Sequence, residues 1–143
     1  MYAFLRYHVG DVMTRNPVTV TPDTDLATLQ GLFEKHRFNA VPVSGDGRQL
    51  DGLASKYDLL RAFAFTPERM VPSYEEIMAT PVARVMTTTP TTVSPDTPVT
   101  RILELLVEAR HKSFPVLEAG LIVGMVARED VLEALTRARQ TAE

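Results

Sequence analysis

The phrase VMTRNPVTVTPDT, beginning at Val12, returns as VMTTTPTTVSPDT, beginning at Val85. A repeat this long forces the chain to be built as two like units, so any reading of one half must also hold for the other. The same offset of 73 pairs Met13 with Met86, Pro17 with Pro90, Pro22 with Pro95, Thr24 with Thr97 and Pro42 with Pro115. Apolar positions follow the register: Leu26 with Val99, Leu29 with Ile102, Leu32 with Leu105, and Phe33 with Leu106. That three-and-four spacing marks one face of an amphipathic helix in each copy. Asp23 and Thr24, like Asp96 and Thr97, are candidate caps for its start, and Pro98 suits a first helical position.

Before each helix, Val18-Thr19-Val20 and Thr92-Val93 read as a short strand. After it, AVPV (40–43) and SFPVL (113–117) read as buried strands whose proline predicts an edge position or a strand end. A turn follows, SGDGRQLDG in the first copy and one residue shorter in the second, so beyond it Gly52 pairs with Gly124 and Asp58 with Asp130 at an offset of 72. Then GLAS and GMVA form a third strand running into a helix near Ser55 and Ala127, with Leu59, Leu60, Phe63 and Val131, Leu132, Leu135 on the apolar faces. Each unit reads strand, helix, strand, strand, helix.

The segmentation expected is 1–64 for the first unit, 65–81 for a connector with a short helix around Tyr74 to Met78, and 82–143 for the second unit. A unit of roughly 60 residues buries little core alone. The expected fold class is therefore α/β (α+β): two βαββα repeats packed by pseudo-two-fold symmetry through their sheets. Composition narrows the chemistry. A formal net charge of −3 gives no basic field for nucleic-acid backbones. The absence of cysteine removes disulfides, thiolate nucleophiles and zinc-thiolate sites, and suits a cytoplasmic setting. Nowhere do about 20 apolar residues follow one another, so no membrane span is expected.

The ordered set V-M-T-x-x-P, P-D-T, H-R-F-N-A-V-P-V (36–43) and G-L-A-S-K-Y-D (52–58), in two copies, resembles a tandem cystathionine-beta-synthase (CBS) domain pair, or Bateman module. The resemblance covers about residues 9–64 and 82–136. It implies a regulatory fold, commonly dimeric, that binds adenine nucleotides or related adenosyl ligands in clefts between the paired domains. Such modules are usually appended to enzymes, channels or transporters, whereas nothing else is attached within these 143 residues.

Ser55-Lys56-Tyr57-Asp58 carries two readings. A Ser three residues before an acid is a capping box and needs no ligand. The same helix start could offer amides, a hydroxyl and the Lys56 charge to a phosphate, while Asp58 accepts from ribose hydroxyls. The resemblance favours the second, with Ser55 on phosphate and Asp58 on ribose. It also places the backbone of Asn39 and Ala40 against the adenine, with Lys112 and Ser113 as their second-copy counterparts, and Asn16-Pro17 and Thr89-Pro90 near the same clefts. The second copy departs from the pattern: Ala127 replaces Ser55 although Asp130 is kept, and Arg128, aligned with Lys56, is the alternative phosphate contact. Two unequal sites are expected, the first copy holding the main one.

Catalysis lacks support. His8, His36 and His111 occupy unmatched repeat positions without metal-ligand spacing, Asp46 and Asp51 flank glycine turns, and no phosphate-cradling loop, nucleophile elbow or paired-carboxylate signature is present. The function read from the sequence is a non-enzymatic sensing module that takes AMP, ADP, ATP, S-adenosylmethionine or an NAD-class compound as regulatory ligand, with neither metal nor cofactor. It would act as a homodimer on an unknown protein partner. The rival reading is a ligand-free dimeric assembly module.

Overall fold

The computed structural model describes residues 2–64, 73–108 and 112–140. It divides into two compact units, one formed by Val18–Pro90 and the other by Met1–Pro17 with Thr91–Glu143. This grouping cuts across the segments 1–64 and 82–143 expected from the repeat. The reason lies in the repeated VMT phrase, which joins the strand of the other copy's motif.

In the Val18–Pro90 unit, α2 (Leu26–Lys35) buries Leu26, Leu29 and Phe33, the three-and-four stripe read from the sequence. Its cap is neither Asp23 nor Thr24. Asp25 accepts from the Thr28 N–H at 2.8 Å, whereas the Thr24 hydroxyl accepts from the Thr21 N–H at 3.1 Å and closes the preceding turn. Strand β2 (Ala40–Val43) pairs antiparallel with β3 (Gly52–Ser55), Ala40 opposite Ser55. The stretch at Val18–Val20 contributes one parallel bridge, Val20 to Val43, rather than a full strand. Between β2 and β3 the Asp46 carboxylate gathers the N–H groups of Arg48 and Gln49, and Asp51 takes that of Gly45 at 2.7 Å, so both acids serve the turn. Helix α3 (Lys56–Ala62) leaves β3 directly. Helix α4 (Tyr74–Met78) falls where the connector was expected to be helical, and residues 65–72 of that connector lie outside the described residues. Ile77, Met78 and Val82 pack with Val41, Val43, Ala54 and Leu59 into one core.

The other unit repeats the plan with α5 (Val99–Glu108), β4 (Ser113–Glu118), β5 (Leu121–Ala127) and α6 (Arg128–Gln140). Pro98 sits one residue ahead of α5, outside its first turn. The β4–β5 turn is two residues, Ala119 and Gly120, with φ of 52° and 80°; paired left-handed residues match the twist of a tight hairpin, and Ala119 bears the strain glycine avoids. To this hairpin the N-terminal segment adds α1 (Val9–Val12) and β1 (Thr14–Arg15), a strand the sequence reading missed, giving the order β1-β5-β4. Pro115 lies on β4 at the end of that order, where the stretch at Thr92-Val93 contributes one parallel bridge, Val93 to Val116, rather than a full strand; the Pro115 carbonyl accepts from the Val93 N–H at 3.1 Å.

The role of the repeated methionine now emerges. A Cβ on Gly124 would lie 2.7 Å from the Thr14 carbonyl oxygen and 2.8 Å from Met13 Sδ; a Cβ on Gly52 would lie 2.8 Å from both the Thr87 carbonyl oxygen and Met86 Sδ. Only glycine admits such an approach. Each VMT phrase thus lays its Met and following Thr across a strand glycine: Met13-Thr14 on β5, and Met86-Thr87 on β3, where Leu53 and Thr87 exchange backbone hydrogen bonds at 2.9 Å.

Candidate functional site

At the junction of β3 and α3, Ser55 is the N-cap: its Oγ accepts from the Asp58 N–H at 3.1 Å, and Asp58 Oδ2 accepts from the Ser55 N–H at 2.9 Å. The Ser55 hydroxyl also donates to Asp58 Oδ2 at 2.9 Å. The other carboxylate oxygen, Oδ1, accepts from Arg61 Nη2 at 3.2 Å, and the same nitrogen donates to the Val85 carbonyl at 2.7 Å. Asp58 is 3% exposed. A carboxylate so deep is tolerable because both of its oxygens accept charge-assisted hydrogen bonds. The capping box is therefore present, and it occupies the groups that the ligand reading needs.

The remaining first-copy residues gather around this junction. The Asn39 carbonyl accepts from the Lys56 N–H at 2.9 Å, which ties the entry of β2 to the start of α3, and Ala40 is buried beside Ser55 in the ladder. Lys56 holds its ammonium 5.8 Å from the Phe33 ring centroid, in a cleft of about 350 Å³ between α2 and α3. Thr89 and Pro90 follow closely on Thr87, which is bonded to β3, so they belong with Ser55 and Asp58. Asn16 and Pro17 belong instead with the second-copy residues, following β1 on β5. Asn16 takes φ of 50°, a left-handed conformation that asparagine tolerates better than most residues.

In that second constellation the relations recur with different side chains. The Lys112 carbonyl accepts from the Arg128 N–H at 3.0 Å, and Ser113, 9% exposed, stands opposite Ala127. Asp130 Oδ2 accepts from the Ala127 N–H at 2.7 Å, but with alanine at the cap no hydroxyl answers it. Its Oδ1 meets the Thr14 hydroxyl at 3.5 Å, a long contact. Burial raises the Asp130 pKa above its ordinary value, reinforced by the Glu129 and Glu133 charges and opposed by the Ala127 N–H. Arg128 turns toward Glu129, Nε to Oε1 3.6 Å.

Two participants escaped the sequence reading. Arg61 could have been found from its place three residues after Asp58 on one helix face. Thr14 had no local signal, being 116 residues from Asp130. Among the described residues no His, Cys, Asp or Glu group could hold a metal ion. His8 lies beside Asp11 and His36 stacks on Phe38 at 5.0 Å; His111 lies outside the described residues. No helix among the described residues is long and apolar enough to cross a membrane.

Known proteins with this architecture agree with the motif reading. The crystal structure of CBSX2, a CBS-pair protein from Arabidopsis thaliana, in complex with AMP superposes with a TM-score of 0.77 at 27% identity, covering 93% of this chain and 98% of that one. The CBS domain-containing protein YhcV of Bacillus subtilis is 27% identical over 124 residues, covering 86% of this chain and 81% of YhcV. The A-adding tRNA nucleotidyltransferase of Aquifex aeolicus is 29% identical over 133 residues, 92% of this chain but 15% of that enzyme. The CBS domain family profile matches twice, at residues 9–65 and 82–137. With both matches falling on the two repeat copies, the chain belongs to the CBS domain family as a tandem pair.

Proposed function

We propose that this CBS pair is a sensing module whose regulatory ligand is an adenosine-containing compound of the AMP, ADP, ATP, S-adenosylmethionine or NAD class, and that occupancy alters its affinity for a protein partner. The observation that carries the reading is the Ser55–Asp58 junction, a buried acid at the motif position in a chain that resembles the AMP complex of CBSX2 over nearly all its length. A ribose diol suits an acceptor-only carboxylate, and the Asn39 to Ala40 backbone at the head of β2 suits adenine selection. The ligand is regulatory and not a cofactor, no catalytic role is proposed, and the cytoplasm is the proposed setting. The exposed Leu60 and Leu132, beside the half-buried Phe63 and Leu135, are proposed to be covered in a homodimer.

The test is a thermal-shift screen with AMP, ADP, ATP, S-adenosylmethionine and NAD(H) at millimolar concentration, followed by calorimetry on the best compound. Ligand at 100 times its dissociation constant adds about 2.7 kcal/mol to a site, an increment a melting curve resolves. If no compound raises the melting temperature, the ligand reading is lost. The ligand-free assembly module then stands in its place, a reading favoured by one observation: Ser55 and Asp58 already satisfy each other.

A further inference from the structure

Asp58 has two kinds of partner. Ser55 holds Oδ2 through its N–H and hydroxyl, and these bonds are also the cap of α3, so giving them up would fray the helix. Arg61 holds Oδ1 at 3.2 Å through a side chain that is 52% exposed, so releasing it costs far less. Water recovers an exposed guanidinium, and this one borders a cleft of about 570 Å³ whose wall carries one acid, Glu76, and a second cation, Arg84. An incoming diol would find Oδ2 committed to the cap and Oδ1 committed to the one partner that can leave. The second copy supports the contrast: at the offset of 72, Arg61 is replaced by Glu133, and among the described residues the outer oxygen of Asp130 meets only the long Thr14 contact.

We propose that Arg61 is an intramolecular competitor for Asp58, a latch that a ribose diol displaces on entering the first-copy site. Displacement does more than open the carboxylate. The nitrogen that leaves Oδ1 also bonds the Val85 carbonyl at 2.7 Å, two residues before Thr87, so release loosens α3 from the segment leading to Thr89 and Pro90. Occupancy of Asp58 is thereby signalled to that segment. The proposal rests on the adenosyl-ligand reading above and deepens it by naming what the ligand must displace.

Adenosine is the appropriate probe, because AMP would also attract the guanidinium through its phosphate. Its affinity is measured by calorimetry in an Asp130→Ala background, so that the first-copy carboxylate alone is read, with Arg61 intact, Arg61→Met and Arg61→Gln. Loss of the competitor is expected to tighten adenosine about tenfold, the order of one charge-assisted hydrogen bond discounted for exposure. The unligated melting temperature is expected to fall slightly as the Val85 contact is lost. Tighter binding by a less stable protein is a result that a merely structural arginine would not give. Arg61→Gln, neutral and shorter in reach, must move in the same direction should Arg61→Met fold poorly. Unchanged or weaker adenosine binding in both variants overturns the latch. If wild-type protein binds AMP while the variants gain nothing, the latch alone falls; if neither wild type nor variants bind any adenosyl compound, the ligand reading falls with it.

Discussion

Asp58 and Asp130 occupy the same place in two copies of one motif, yet they live in opposite surroundings. Around Asp58 the chain places Ser55, Lys56 and Arg61, so the stretch from 55 to 61 carries two cations against one acid. Around Asp130 it places Ala127, Arg128, Glu129 and Glu133, one cation against three acids from 127 to 133. The first carboxylate is buried, capped and bridged; the second is half-buried, held firmly through one oxygen and pushed toward its protonated form. Copies of a motif can therefore keep one carboxylate in place while diverging in the groups that surround it. The sequence reading placed the main site in the first copy because Ser55 is present there. The geometry adds that Ser55 and Arg61 already occupy both carboxylate oxygens of Asp58.

The largest effect expected on the unligated protein is from Asp58→Ala. It strands the Ser55 N–H and hydroxyl at a half-buried junction and releases Arg61, costing about 2 kcal/mol. Asp130→Ala removes one short hydrogen bond and one long one and should cost about 1 kcal/mol or less. Urea unfolding of both variants beside wild type reads the difference. Equal losses would mean that the two junctions are energetically alike despite their contacts.

Protonation sharpens the comparison next. The Asp130 pKa is raised in the folded protein, chiefly by burial, so the folded state holds a proton more tightly than the unfolded chain does. Its favourable contribution is fully present below the unfolded value of 3.8 and is lost as pH rises through the higher folded value. Asp130→Asn should therefore gain stability relative to wild type as pH is raised from about 3.5 to about 6.5, by denaturant titration across that range. A difference that stays flat with pH would show that the carboxylate is not strained by its surroundings.

The smallest effect on fold stability belongs to the exposed leucines. Leu60→Glu and Leu132→Glu should each change the stability of a single chain by no more than about 0.5 kcal/mol, since 72% and 62% of these residues already face solvent. Both should instead lower the oligomer mass measured by light scattering at tens of micromolar. A wild-type protein that is already monomeric there would remove the proposed dimer.

Periodicity made α2 and α5 legible, because Leu26, Leu29 and Phe33, like Val99 and Ile102, must face one core whatever lies beyond it. The Ser55–Asp58 box was legible for the same local reason: three residues of helix bring the hydroxyl, the amide and the carboxylate together without help. The cap of α2 was misplaced by a residue or two because Asp23, Thr24 and Asp25 are all competent caps, and only the Thr21 turn shows which is spent elsewhere. Arg61 was legible in spacing but not in consequence, since its second acceptor, the Val85 carbonyl, lies 24 residues on.

What the sequence determined by itself was the duplication, the helix faces, the β3–α3 and β5–α6 junctions and the family motif, all set by contacts within a few residues. What only the tertiary structure decided was the company each junction keeps. Met13 and Thr14 cross Gly124, while Met86 and Thr87 cross Gly52, so Asn16 and Pro17 stand with Asp130, and Thr89 and Pro90 stand with Asp58. A missing Cβ permits the approach at either strand, and because the two glycines are alike, no local preference along the chain encodes which of them a repeated phrase will find; packing within each unit decides it.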